Sequence, residues 1–174
     1  GLNLPLSEFP SGFCETIEVL GLERANLNSL LGLEQFPSLE SLSLLDLLQL
    51  SDVSALASGN RLTELDITSC NRIESCSVIG SLPLLEWLAW ENSKLDSLRS
   101  FLPGERLEVL LLGQNTVVSD NDIGCLLQFP RLKHVRFRNR RSYDLKVLDV
   151  NKELQTIRPG PFRTLAERQL ERLL

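Results

Sequence analysis

Histidine and methionine are almost missing from this chain of 174 residues, which has one histidine, His134, and no methionine. A single histidine excludes a metal site built from several histidines and leaves one candidate general base. No serine, cysteine or acid is reliably placed beside it in the sequence, so we expect no catalytic residue and no metal site. Because methionine is absent even at position 1, we expect the chain to be a fragment or a processed form.

Phosphate-binding loops and long apolar runs are also absent. The sequence has no GxxxxGK[ST] or GxGxxG motif, so we expect no nucleotide, no other cofactor and no small-molecule substrate. No run approaches the ~18 apolar residues that a membrane span needs, and the N-terminal GLNLPLSEFP lacks the form of a signal peptide. We therefore expect a soluble protein that does not contact a membrane.

Cysteine is too scarce for a disulfide-stapled secreted domain. The four cysteines are scattered at Cys14, Cys70, Cys76 and Cys125. Five residues rather than two separate Cys70 from Cys76, and no second pair follows, which argues against zinc. No Asn-x-Ser/Thr acceptor occurs either. We expect a reducing, intracellular setting, either cytoplasmic or nuclear.

What the chain does have is an internal repeat. The stretch LTELDITSCNRI, from Leu62, places apolar residues first, fourth, sixth and twelfth, with a cysteine ninth. Related stretches recur at intervals of 22, 23, 23, 22 and 25 residues. The six copies begin at Ile17, Leu39, Leu62, Leu85, Leu107 and Leu132. An apolar-Pro-x triplet precedes three of them in phase, as FPS, LPL and FPR, which makes coincidence improbable.

The repeated stretch resembles the LxxLxLxx(N/C)x(x)L segment of the leucine-rich repeat family, over roughly residues 17–140. Copies with Ala25, Ser93 and Asn115 ninth resemble the 22-residue phosphatase-regulator kind of repeat. Copies with Leu47 and Cys70 ninth resemble cysteine-containing repeats. The array is therefore mixed, and we expect the ninth residue to turn inward where the chain bends.

The resemblance implies an α/β fold, a leucine-rich repeat solenoid of about six repeats that form one domain over residues 1–174. Alternation at the fourth and sixth places predicts a short strand with one buried face in each copy. The strands should form a parallel concave sheet, with 3₁₀ or irregular segments such as Asp52–Ala57 and Val78–Leu82 on the convex side. Each unit buries its leucines only against its neighbours, so the ends need caps.

The two caps are assigned to residues 1–16 and 142–174, which flank six repeats at 17–141. In the C-terminal cap, PGPFRTLAERQLERLL predicts a helix with Thr164 as its N-cap. One stripe of that helix holds Phe162, Ala166, Leu170 and Leu173. The helix either packs on the last repeat or binds a partner.

Function is then expected in the exposed face of the sheet, formed by the second, third, fifth, seventh and eighth residues of each copy. The predicted apolar partner-binding residues are Leu45, Trp87, Val109 and Leu111. The predicted acidic ones are Glu64, Asp66, Glu86, Glu91 and Glu108. Trp87, Val109 and Leu111 should form one exposed patch that anchors a partner, unless a cap or a neighbouring segment covers it. The acids either face a basic partner or are simply solvated.

Charge is divided along the chain. Residues 1–130 carry 6 lysines and arginines against 18 acids, whereas residues 131–141 carry 6 basic residues and no acid. The predicted basic patch consists of Lys133, His134, Arg136, Arg138, Arg140 and Arg141. These side chains are solvated or paired with the chain's own acids, or they bind an acidic protein or nucleic acid. Phe137 should point inward, which leaves no exposed aromatic ring for base stacking.

Two functions fit these features. The first is a non-enzymatic protein-interaction scaffold that binds a partner through the concave face. The alternative is an RNA-associated adaptor of the nuclear kind, in splicing or messenger-RNA export, that contacts RNA or an RNA-binding protein through the basic last repeat. The alternative rests on GQNTVVSDNDIGCLLQFPRLKHVRF, which is similar to the terminal cap of the spliceosomal leucine-rich subunit and of messenger-RNA export receptors.

Overall fold

The strands of the chain stack in sequence order into a single parallel sheet. The structure, a computed structural model, describes residues 6–113, 115–137 and 155–156. In this part of the chain the sheet has seven strands in the order β1 to β7. The strands are β1 (Val19–Glu23), β2 (Ser41–Leu45), β3 (Glu64–Thr68), β4 (Trp87–Glu91), β5 (Val109–Gly113), β6 (His134–Phe137) and β7 (Gln155–Thr156).

Short helical segments connect each strand from β1 to β5 to the strand that follows it. One helical turn, α1 (Ser11–Cys14), precedes the sheet. The 3₁₀ helices are Leu6–Glu8, Leu33–Gln35, Ser54–Ser58, Ser77–Ser81, Leu98–Phe101 and Ile123–Gln128. The second and third inter-strand segments overlap the predicted ones at 52–57 and 78–82, so the predicted solenoid with a 3₁₀ convex side is confirmed. Within the described residues, no helix has the length and hydropathy to cross a membrane.

Stacked apolar residues form the core between the sheet and the 3₁₀ helices. Strand pairing is in register, so Leu42 lies beside Leu65 and Leu65 beside Leu88. All three side chains are fully buried. Burial of one leucine stabilises a fold by about 1.5–3 kcal/mol. Because each of these leucines contacts the copies before and after its own, the repeats are stable only as an array.

Each of the strands β1 to β4 ends in a left-handed bend at the eighth place of the repeat. The positive φ angles are 51° at Arg24, 53° at Asp46, 58° at Ser69 and 48° at Asn92. This conformation costs an L-residue roughly 1–2 kcal/mol, and less for asparagine. Backbone hydrogen bonds continue the ladder through the bend, as in Arg24 N–H to the Leu45 carbonyl at 2.9 Å. The bend then directs the following residue inward.

The inward place is filled by the apolar Ala25 and Leu47 after β1 and β2, and by the polar side chains of Cys70, Ser93 and Thr116 after β3 to β5. Ser93 Oγ accepts a hydrogen bond from the Cys70 N–H and donates one to the Glu91 carbonyl, both at 2.9 Å. The inward position of Asn115 was predicted wrongly, because the bend after β5 contains one residue more before it turns inward. Asn115 is exposed and Thr116 is fully buried, with Oγ1 donating to the Trp90 carbonyl at 3.1 Å.

Contacts continue beyond the six repeats at both ends of the sheet. Before β1, Leu6 and Cys14 are buried, and the Phe9 ring meets the Phe36 ring edge-on at 6.1 Å. At the other end β7 pairs in parallel with β6 and adds a strand from within the predicted C-terminal cap. The remainder of that cap, including the predicted terminal helix, lies outside the described residues, as do residues 1–5.

Substitution Ser93→Ala tests the bonding inside the bends. The change leaves the buried Cys70 N–H without its side-chain acceptor, so we expect the free energy of unfolding to fall by about 1–3 kcal/mol. Urea unfolding followed by circular dichroism measures it. Ser81→Ala is the matched control, because the exposed Ser81 hydroxyl donates only to the Val78 carbonyl. Equal losses in the two variants would contradict the role given to Ser93.

Candidate functional site

The concave face is organised in rows that run across the strands. The third places form the row Val19, Ser41, Glu64, Trp87, Val109 and His134. The fifth places form the row Gly21, Ser43, Asp66, Ala89, Leu111 and Arg136. Neighbours in a row are one strand spacing apart, about 4.8 Å. The face is thus acidic on β3, apolar on β4 and β5, and basic on β6.

The concave apolar cluster is defined by Trp87, Ala89, Leu111 and Val109, and it is separate from the main core. Trp87 lies beside Val109, and Ala89 beside Leu111, so the predicted residues are brought together. Ala89 was missed by the sequence prediction, although its place in the fifth-place row was readable from the repeat. A small side chain gave no reason to single it out.

The exposure predicted for this patch is wrong. Only 8% of Trp87 and 2% of Leu111 is accessible, and Val109 is half-buried. Val19, at the same place on β1, is 44% exposed. Alternation identifies which face of a sheet a side chain is on, but it does not show what covers that face. The role of these residues in partner binding remains a prediction.

Acidic side chains border the cluster. Glu64 lies beside Trp87 and Asp66 beside Ala89, and both carboxylates are half-buried. Thr68 Oγ1 donates a 2.9 Å hydrogen bond to Asp66. The Glu91 side chain lies over Gly113 of the neighbouring strand β5. Any side chain at residue 113 would overlap the Glu91 carboxylate. The lack of a side chain at residue 113 therefore lets a third acid lie close to the apolar cluster.

Two predicted acids and one predicted leucine lie farther out. Glu86 is exposed at a second place, and Glu108 accepts a 2.8 Å ion-pair hydrogen bond from Lys133 Nζ. That bond lowers the pKa of Glu108 below its usual range. Leu45 is half-buried on β2, two strands from Trp87, and is not a member of the concave apolar cluster.

The basic side of the face differs from the predicted exposed patch. Arg136 is only 4% exposed, beside Leu111 on β5, so its predicted exposure is wrong. A guanidinium can be this buried only where acceptors and neighbouring atoms replace water. His134 is half-buried beside Val109. The predicted basic residues Arg138, Arg140 and Arg141 lie outside the described residues.

The cysteines of this structure are buried thiols without a disulfide partner. Burial raises the pKa of Cys70 and of Cys125 to about 11, and it also raises the pKa of Cys76. At neutral pH these thiols are protonated, which is the form that neither attacks an electrophile nor binds metal. Over residues 6–113, 115–137 and 155–156, no group of three or more His, Cys, Asp or Glu could hold a metal ion.

A hollow of about 310 Å³ lies beyond the ends of β3 and β4, away from the concave apolar cluster. Its lining includes the buried Cys76 and Trp90 and the charged residues Arg72, Glu74 and Lys94. None of these residues was predicted as a site. The protonated Cys76 thiol and the mixed charges give the hollow no group poised for catalysis.

The raised thiol pKa values predict a fall in stability at alkaline pH. Burial favours the protonated thiol in the folded state, so its stabilisation is complete below the ordinary thiol pKa of 9.0 and is lost as pH rises towards 11. We expect unfolding free energy to drop by about 1–2 kcal/mol per thiol over this range. Urea unfolding at several pH values, with Cys70→Ala as comparison, measures the effect. If the free energy of unfolding falls equally steeply with pH in Cys70→Ala, the loss of stability does not come from the Cys70 thiol.

Comparison with known proteins supports the fold. No protein-family model and no curated protein matches the sequence. The structure is similar to an internalin (inlF) from Listeria monocytogenes, with 18% identity and a TM-score of 0.59 over 85% of this chain and 49% of the internalin. It is also similar to internalin C2 (inlC2) of that organism, with 20% identity and a TM-score of 0.59 over 86% of this chain and 74% of the internalin.

The chain spans about half the length of the first internalin and about three quarters of the second. At this level of identity the likeness concerns the fold alone. Internalins are leucine-rich repeat proteins, and the parallel sheet with short 3₁₀ helices is the arrangement that the repeats predict. The chain therefore has the leucine-rich repeat solenoid fold.

Proposed function

We propose that the chain is a non-enzymatic interaction module that binds a protein partner through its concave face. The observation that carries this proposal is the concave apolar cluster, which contains a tryptophan and lies on the opposite side of the sheet from the main core. Aromatic side chains within apolar patches are frequent anchors of protein interfaces. The solenoid supports protein partners in general, because stacked repeats offer one extended surface.

Charged side chains flank the cluster on both sides. Glu64 and Asp66 lie on one side of it, and His134 and Arg136 on the other. The distance from β3 to β6 is three strand spacings, about 14 Å. The apolar residues between these two zones suit a partner segment with apolar side chains over β4 and β5.

A reducing compartment suits this chain. The cysteines are free and buried, and none of them is bridged in the structure. The proposal therefore places the interaction inside a cell, in the cytoplasm or the nucleus.

RNA binding through the last repeat is the alternative, and the described residues support it less. Lys133 is paired with Glu108, and Arg136 is buried, so neither offers its full charge to a phosphate. Binding to a phosphate backbone releases counterions, and its affinity falls steeply with salt. The alternative therefore depends mainly on Arg138, Arg140 and Arg141.

Substitution Trp87→Ala tests the concave face. We expect partner affinity to fall by about 2 kcal/mol or more, roughly 30-fold, because an interface anchor is removed. Affinity capture from cell extract followed by mass spectrometry identifies the partner, and titration with that partner measures the loss. Leu31→Ala is the control, since Leu31 is 66% exposed outside the sheet. Unchanged affinity in a Trp87→Ala protein that melts normally would rule the concave face out.

The same capture with and without RNase separates the two functions. If RNA is bound directly, charge reversal by Arg138→Glu with Arg140→Glu should abolish retention, and binding should weaken about 10-fold or more between 50 and 200 mM salt. Gel-shift titration measures both effects. If the same proteins are captured with and without RNase, and neither salt nor the two charge reversals changes their retention, direct RNA contact is excluded.

A further inference from the structure

Strand β1 forms an open edge of the described sheet. Among the residues that the structure describes, β1 pairs only with β2. Successive residues of a strand direct their backbone N–H and C=O groups to opposite edges. The Arg24 N–H donates to the Leu45 carbonyl of β2 at 2.9 Å, so residues 20, 22 and 24 face β2. The outward backbone N–H and C=O groups of Val19, Gly21 and Glu23 form what we call the β1 edge.

The β1 edge is accessible. Val19 is 44% exposed, whereas Ser41, at the same place on β2, is 5% exposed. Gly21 is exposed as well, and a Cβ added to it would meet no atom within 4 Å. Leu20 is half-buried, while Leu42 beside it is fully buried. The first strand thus leaves backbone groups and part of the apolar core available to another strand.

The described residues before β1 pack against the helical side of the first repeat. Leu6 and Ser7 lie so close to Gly32 that a side chain at residue 32 would overlap their backbone. The Phe9 ring meets the Phe36 ring, which follows the 3₁₀ helix Leu33–Gln35. These contacts hold residues 6–9 on the convex side and agree with the exposure of β1.

The β1 edge is complementary to a second copy of itself. Open strand edges are templates for further pairing, and in an antiparallel pair alternate opposing residues exchange two backbone hydrogen bonds. A two-fold axis through Gly21 places Gly21 opposite its own copy and Val19 opposite Glu23 of the second chain. All three outward residues then meet outward residues, which no other axis achieves, with two bonds in each of three pairs. Leu20 lies opposite Leu22 on the core side, where the two side chains cover each other.

We propose that two copies of the chain associate through the β1 edge, antiparallel about Gly21, into one continuous sheet. The interface is isologous, because the same surface serves both copies. Gly21 suits its centre, since no side chain stands where the two edges meet. Both concave faces lie on the same side of this sheet, and the concave apolar cluster on β4 and β5 stays outside the interface. The association is therefore independent of the proposed function.

Substitution Gly21→Pro tests the β1 edge. Proline removes only an outward N–H and is compatible with an edge strand, so the fold is retained. Each dimer loses two backbone hydrogen bonds, so we expect its dissociation constant to rise about tenfold or more. Sedimentation equilibrium of the full chain, over roughly a hundredfold range of concentration, measures the change. Gly21→Ala is the matched control, because its Cβ has room and its N–H is kept.

Hydrogen exchange of the parent chain is a second measurement that needs no variant. We expect the Val19, Gly21 and Glu23 amides to exchange about tenfold or more slowly at the highest concentration than at the lowest. The Leu20 and Leu22 amides, which face β2, should be protected at both. If circular dichroism shows that the proline variant is unfolded, this exchange pattern decides.

A dimer that Gly21→Pro weakens and Gly21→Ala does not, with exchange that alternates along β1, supports the proposal. A parent chain that stays monomeric over the whole range overturns it. A dimer that is equally strong in a folded Gly21→Pro chain also overturns it, because the interface then lies elsewhere. Protection of the outward amides in a monomer overturns it as well, since the edge is then covered within one copy.

Discussion

Lateral burial of leucine between neighbouring repeats is the constraint on which the rest of this structure depends. Leu42, Leu65 and Leu88 are each fully buried, and each is covered partly by a residue from another copy. No single copy can bury its own apolar face, so the strands must stack in register. In-register stacking turns each place of the repeat into a row. Residues that are 22 or 23 positions apart in the chain thereby become neighbours on one surface.

The bends after the strands show how the array tolerates local strain. Four described bends place a non-glycine residue in the left-handed region, three of them with a residue other than asparagine. The conformation is maintained because backbone ladder bonds pass through the bend and because Ser93 and Thr116 bond backbone groups inside it. Asparagine or cysteine usually fills this inner position in such repeats. Here Cys70, Ser93 and Thr116 bond backbone groups through a thiol or hydroxyl, whereas Ala25 and Leu47 only pack there.

Much of the fold was predictable because its signal is local and repeated. Period-two alternation around Leu65 or Leu88 marks a strand with one buried face, and six copies in phase identify the solenoid. Strand β7 could not be predicted in the same way, since two paired residues carry no periodicity. Thr116 turns inward in place of Asn115 because the repeat has one residue more at this point. The apolar pattern of the motif is the same with or without that residue, so the sequence did not reveal the shift.

The candidate site was predictable in position and not in exposure. The repeat placed Trp87, Val109 and Leu111 on one face, and the register confirms that they are neighbours. Burial, in contrast, is decided by atoms that are distant in sequence. The same holds for Arg136, whose place in the row was clear while its surroundings were not. Sequence periodicity thus locates a surface, but its accessibility follows from the rest of the chain.

The convex side limits what can occupy the concave one. Its inter-strand 3₁₀ helices have three to six residues, and such helices are narrower than an α-helix with its diameter of about 10 Å. Narrow 3₁₀ helices separate neighbouring repeats on the convex side less than α-helices would. The solenoid therefore curves less, and its concave face is shallow. For the proposed binding, a shallow face favours a partner surface that lies flat across neighbouring strands over one that inserts deeply.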